Sequence, residues 1–202
     1  MTNKILAGLF ALAALATPSS AIAEGFAELR ASNQNTSLDL KTSGDLGANF
    51  GFFGRHTSTV DREENISPFT LVDVSYNLPK GTGVFVEGQG ADHFTPRAGV
   101  NYFGKKGDFD FYGALSTSLD RDAELYTATN FKPEVNEELS LPLRVETVTN
   151  VGELGHNYSS VKARAGIGYN DWEFQAATDC EIFGNAEDHK CVYGAAISKR
   201  FK

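Results

Sequence analysis

The run Val161-Lys162-Ala163-Arg164-Ala165-Gly166-Ile167-Gly168-Tyr169-Asn170-Asp171-Trp172-Glu173-Phe174-Gln175-Ala176-Ala177-Thr178-Asp179-Cys180 has two chemically distinct faces. Val161, Ala163, Ala165, Ile167 and Tyr169 fall on one side, and Lys162, Arg164, Gly166 and Gly168 on the other. The pattern resumes after Asn170-Asp171, with Trp172, Phe174, Ala176, Thr178 and Cys180 set against Glu173, Gln175, Ala177 and Asp179. A period of two is the mark of a β-strand whose faces meet different surroundings. Asn170-Asp171 has the length and composition of a two-residue hairpin turn.

The same rhythm runs through the chain. Val72, Val74, Tyr76 and Leu78 alternate with Asp73, Ser75 and Asn77, and Ala98, Val100 and Tyr102 alternate with Arg97, Gly99, Asn101 and Phe103. No long stretch shows helical periodicity. Turn signals divide the chain into strands expected near 24–32, 36–42, 46–60, 68–79, 82–91, 95–104, 108–119, 124–132, 139–151, 160–169, 171–182 and 191–201. Pro142 is acceptable near a strand start. The connections 77–81, 104–107 and 170–171 read as tight turns. Those at 61–67, 152–159 and 183–190 read as longer polar loops, and 132–138 is long where a short turn is expected. One antiparallel meander without linker or low-complexity segment is the simplest reading.

Residues 1–23 have the composition of a secretory signal: Lys4, the apolar run Ile5 to Ala16, a break at Thr17-Pro18-Ser19-Ser20, and small residues at Ala21 and Ala23. The apolar run falls short of the roughly 20 residues of a spanning helix. Cleavage before Glu24 would leave one domain, 24–202. Removing Lys4 would take the formal net charge from −8 to −9. An acidic chain without a basic tract is not built for nucleic acid. Export makes a disulfide between Cys180 and Cys191 the expected state; closing so short a loop would contribute roughly 3 kcal/mol through the unfolded state.

Alternation alone does not say which face is wet. A meander of about twelve strands (10–12) closes into a barrel too wide for a dry core, whereas an apolar exterior facing lipid and a hydrated polar interior solve that problem. Charges recur on successive polar faces, where neighbours can pair laterally: Arg144 and Glu146, Lys162 and Arg164, then Glu173. Aromatic residues gather at strand ends: Tyr76, Tyr102, Phe103, Phe109, Phe111, Tyr169, Trp172, Tyr193 and Phe201. The alternative is a soluble exported ligand-binding β-barrel, with the faces reversed.

The last strand places Tyr193, Ala195, Ile197 and Phe201 on one face. It resembles the closing strand of Gram-negative outer-membrane β-barrel proteins, with Lys199 interrupting the apolar face and Lys202 following the aromatic. The resemblance implies a closed up-and-down transmembrane barrel in the cell outer membrane, handled by the barrel-insertion machinery and surrounded by outer-membrane lipid and lipopolysaccharide.

With both termini in the periplasm, His56, His93, His156 and His189 gather toward one end beside an acidic rim that includes Asp61, Glu63, Glu64, Asp120 and Asp122. No pair has a diagnostic ligand spacing, so neither a metal nor a cofactor is expected. His56-Thr57-Ser58 and His156 with Ser159 are loose base–hydroxyl pairs. A nucleophile also needs a third group to orient its base, and the sequence shows none; a lipid hydrolase at the rim is therefore the second reading. The first is non-enzymatic. Asp73, Glu87, Arg97, Asp110, Arg144, Glu146, Lys162, Arg164, Glu173 and Asp179 are expected to line a narrow porin-like channel for an unidentified small solute, or to pair across the lumen and close it in a structural or surface barrel.

Overall fold

The structure is a computed structural model that describes residues 23–91, 94–120, 122–153, 155–184 and 189–201. The expected signal, apart from Ala23, lies outside the described residues. Strands β1 (Ala23–Ser32), β2 (Asn35–Gly47), β3 (Phe50–Asp61), β4 (Ile66–Asn77), β5 (Thr82–Gly90), β6 (Phe94–Lys106), β7 (Phe109–Ser118) and β8 (Ala123–Phe131) pair antiparallel in succession, each after the first with the one before it. The two-residue β9 (Leu139–Ser140), then β10 (Leu143–Gly152), β11 (Gly155–Tyr169), β12 (Trp172–Phe183) and β13 (His189–Phe201) follow. β10 pairs with both β8 and β11, and β1 pairs with β13, so the sheet closes. This is a twelve-stranded antiparallel up-and-down barrel with one added short strand.

β9 extends the line of β10: Leu139 and Ser140 pair with Tyr169 and Gly168, and Leu143 resumes opposite Ala165. Pro142 has no N–H to give to a ladder and falls in the break. Part of the long connection 132–142 thus returns to the wall. The second expected strand ends too early, because the chain turns at Ala48 and Asn49, both at positive φ. The Asp45 carboxylate, which accepts from the Gly47 amide at 2.7 Å, braces that turn. The expected long loops are corrected as well. β11 begins at Gly155 and β13 at His189, and the 61–67 loop shrinks to 62–65, because polar residues continue the ladders beyond the apolar belt.

The faces are inside-out relative to a soluble protein. Val161, Ile167, Trp172 and Phe174 are 37, 53, 41 and 55 % exposed, whereas Arg164 and Glu173 are 4 and 2 % exposed. Gly25 pairs with Phe201, so both ends of the described chain lie at one end of the barrel, the terminal end. There Phe50, Tyr76, Tyr102, Phe109, Phe131, Tyr169, Trp172 and Phe201 stand outward and exposed as an aromatic girdle. Phe103 alternates with them and faces inward. Lys199 joins the girdle instead of breaking it, with its ammonium 4.8 Å from the Trp172 ring centroid and 5.5 Å from that of Phe201. On the inner wall a Cβ at Gly166 would stand 1.9 Å from the Phe174 carbonyl oxygen, so the tight curvature there requires glycine.

Cys180 and Cys191 are directly opposed on β12 and β13 and are disulfide-bonded. They tie the two strands below the last connection at the far end. Replacing both by alanine should lower unfolding stability by roughly 3 kcal/mol on loop-closure grounds. Chemical denaturation in detergent, with and without reductant, measures this.

Candidate functional site

The ten inward positions expected from the sequence all lie on the inner wall, but most of their partners are not the lateral neighbours that were expected. Closure places β2 and β3 across the bore from β10 and sets β1 three strands from β11 around the wall. Glu146 pairs with Lys41 and, at 3.3 Å, with Arg55. β3 and β10 are six strands apart in either direction, so this pair crosses the bore. Arg144 and Arg164 are adjacent in register, like charges side by side. Glu28 reaches both from across the lumen, pairing with Arg144 and holding Arg164 at 3.0 Å. Asp39 pairs with Arg55 beside it. Asp179 supplies a lateral contact of the expected kind, 2.5 Å from Arg164, and lies 3.1 Å from Arg30. Lys162 faces the same band and makes no ion pair within 4 Å among the described residues.

The sequence reading missed Glu28, Arg30, Asp39, Lys41 and Arg55. The signal was present: Glu28 and Arg30 alternate with Ala27, Leu29 and Ala31, and Asp39 and Lys41 with Leu38, Leu40 and Thr42. The pairing was not legible, because it depends on which strands closure sets face to face.

The bar from Arg55 to Glu146 divides the bore at mid-height. On the β11–β13, β1 and β2 side lies a cavity of about 100 Å³ lined by Arg30, Lys162, Arg164, Asp179 and the hydroxyls of Ser37, Thr57, Thr59 and Ser160. A polar space of that size holds several waters. On the β4–β8 side, Asp73 and Glu87 are cross-strand neighbours. Gln89 donates to Glu87 at 2.8 Å and to Glu124 at 3.0 Å. The β4–β8 side is therefore mainly acidic, whereas the charges lining the cavity are balanced, Arg30, Lys162, Arg164 and Lys190 against Glu28, Asp39, Asp179 and Glu181.

Both ends are braced. At the far end the Asp122 carboxyl is held well below the ordinary carboxylate range, first by the Ser118 hydroxyl and then by the Asn150 amide and Arg97 guanidinium, against the upward push of partial desolvation. Arg97 lies 3.0 Å from Asp122 and also donates to Ser116. At the terminal end Lys132 lies 2.9 Å and Arg200 3.6 Å from Glu173, and the Asn130 amide donates to Asp110 at 2.6 Å.

The expectation for the histidines holds in part, since His156 and His189 are at the far end. Both lie within strands, His93 is outside the described residues, and His56 sits near the middle of β3 on the outer wall. Its Nε2 is 2.9 Å from Ser58 Oγ and its Nδ1 2.9 Å from Thr70 Oγ1.

An apolar exterior, an aromatic girdle and a charged bore define a transmembrane β-barrel of the outer-membrane type. No family model matches this chain, and no curated protein matches its sequence. Among solved structures it is similar to a KdgM porin in complex with disordered oligogalacturonate, at TM-score 0.54 and 10 % identity over 89 % of this chain and 99 % of that one. A second KdgM porin structure matches at TM-score 0.50 with 10 % identity, again over 89 % and 99 %. LpxR from Salmonella typhimurium matches at TM-score 0.48, with 10 % identity over 88 % and 99 %. At these identities the likeness is one of fold.

Proposed function

We propose that the mature chain, 24–202, is an outer-membrane channel of narrow bore that passes small hydrophilic solutes and favours anions. The observation that carries this is the central band, where Arg30, Lys41, Arg55, Arg144, Lys162 and Arg164 outnumber Glu28, Asp39, Glu146 and Asp179. Lys162, in that band, makes no ion pair among the described residues and lines the polar cavity. Charged rings in a pore select by sign, and a cation already neutralised by a carboxylate attracts a passing anion less than a free one. The KdgM porin similar in fold is described in complex with an oligogalacturonate, a polyanion, which supports acidic sugars as a solute class. The inward residues named above line the route, and the reading needs no cofactor.

Planar-bilayer recording under a salt gradient tests this. The expected result is single channels of low conductance with a reversal potential on the anion side. Lys162→Glu is expected to move that potential toward cations without changing assembly. Protein that folds and inserts but never conducts would overturn the channel. That outcome would favour the other form of the non-enzymatic reading, a closed structural barrel, for which the ion pairs across the bore are the specific support.

A further inference from the structure

Among the described residues, a single ionisable side chain, His56, stands within the apolar belt. Strand parity fixes its direction: Arg55 and Thr57 reach Asp39 inside the lumen, so His56 and Ser58 point outward. Thr70 alternates with the inward Asp73 and sits beside the outward Val72. With a strand rise near 3.4 Å and a tilt of about 40°, each residue climbs about 2.6 Å along the barrel axis. His56 is then about 16 Å and Ser58 about 21 Å above the girdle residue Phe50, in a belt about 25 Å tall. Lys199 lies in the girdle itself, and His156 and His189 lie beyond the opposite edge. An ionisable group held in lipid marks a functional site by default.

We propose that Ser58, His56 and Thr70 form an acyl-transfer site on the lipid-facing wall that acts on ester-linked acyl chains of membrane lipids. The row has the order such chemistry needs: hydroxyl, imidazole, then a hydroxyl on the other ring nitrogen. When Nδ1 carries the ring proton and donates it to Thr70, Nε2 is free to accept from Ser58. Ser58 Oγ then attacks the ester carbonyl carbon and its proton passes to His56 Nε2. As the tetrahedral carbon collapses, the ester C–O bond breaks and His56 gives that proton to the departing alkoxide. Water attacks the acyl-serine by the same route, releasing a fatty acid and restoring Ser58. The depth of Ser58, a few ångströms below the belt edge, suits the ester level of a lipid. The site differs from the His156 pair, where Ser159 contacts both the ring at 2.8 Å and Thr149 at 3.1 Å, and where no hydroxyl on the second ring nitrogen is seen among the described residues. Ser58 is flanked by paired strands on both sides, so the wall offers no prebuilt backbone oxyanion hole. Turnover is correspondingly slow, and acylation is the sensitive readout.

The test uses the full-length protein extracted from membranes in detergent. It is treated with a fluorophosphonate probe and, separately, with phosphatidylethanolamine in mixed micelles. We expect labelling located at Ser58 by peptide mass spectrometry, together with slow fatty-acid release. Ser58→Ala abolishes both. His56→Ala slows labelling by about 10²-fold or more, as loss of a general base does. Thr70 is a positioning residue, so Thr70→Val slows labelling while Thr70→Ser restores it. A heat-modifiable gel shift confirms that each variant remains a barrel, and the His156→Ala variant should label like the parent. Failure to label Ser58 in the folded parent, or equal labelling in His56→Ala, overturns the proposal and leaves the channel reading untouched.

Discussion

Glu146→Ala is expected to destabilise the barrel by about 3–5 kcal/mol, the cost of stripping a buried ion cluster of its counter-charge. Among the described residues, Glu146 is the only carboxylate that both Lys41 and Arg55 reach across the bore, and it is 6 % exposed. Its removal leaves Lys41 with Asp39 at 3.9 Å and an Arg55 that must share the same carboxylate. The bar also loses its far anchor, so the pore should widen. Unfolding by urea, followed through the single tryptophan Trp172, gives the stability term, and bilayer recording gives the conductance. A cost under about 1 kcal/mol is what a solvated pair would show. It would mean that the lumen is wet throughout and that the ion pairs do not brace it.

The second large effect concerns the outer wall. Val86 lies near the middle of β5, outward and 62 % exposed. In a soluble barrel, Val86→Arg at so open a position would change stability by no more than about 0.5 kcal/mol. In a transmembrane barrel the same change sets a guanidinium in hydrocarbon near the bilayer midplane and costs about 2–4 kcal/mol. Glu87→Gln, one residue along and facing the lumen, should cost far less, because its carboxylate exchanges for an amide beside Gln89 without entering lipid. The sign and size of this contrast report the orientation of the wall directly. Equal small effects at both positions would mean that the exterior meets water.

These two expectations draw on different parts of the information in the chain. Which residues face in and which face out is local. Val161 to Cys180 alternates with period two, and any strand built from it must present Lys162, Arg164 and Glu173 together on one side. The hairpin at Asn170-Asp171 is local as well, and Asn170 takes the positive φ that a tight turn needs. Strand ends were less legible. Above the apolar belt, the ladders of β11 and β13 continue through polar residues such as His156, Asn157 and Lys190, which by composition resemble loop.

By itself, then, the sequence determined strands, their parity and a barrel wide enough to need a wet interior, because side-chain alternation is a property of each strand alone. Only the tertiary structure decided which charges meet. Glu28 with Arg144 and Arg164, and Glu146 with Lys41 and Arg55, are contacts between positions more than 90 residues apart, set by how closure faces one part of the wall toward another. The third member of the His56 row was hidden for the same reason. Thr70 lies on the neighbouring strand, and only the register of β3 against β4, fixed by backbone hydrogen bonds and the length of the turn between them, brings its hydroxyl to the imidazole.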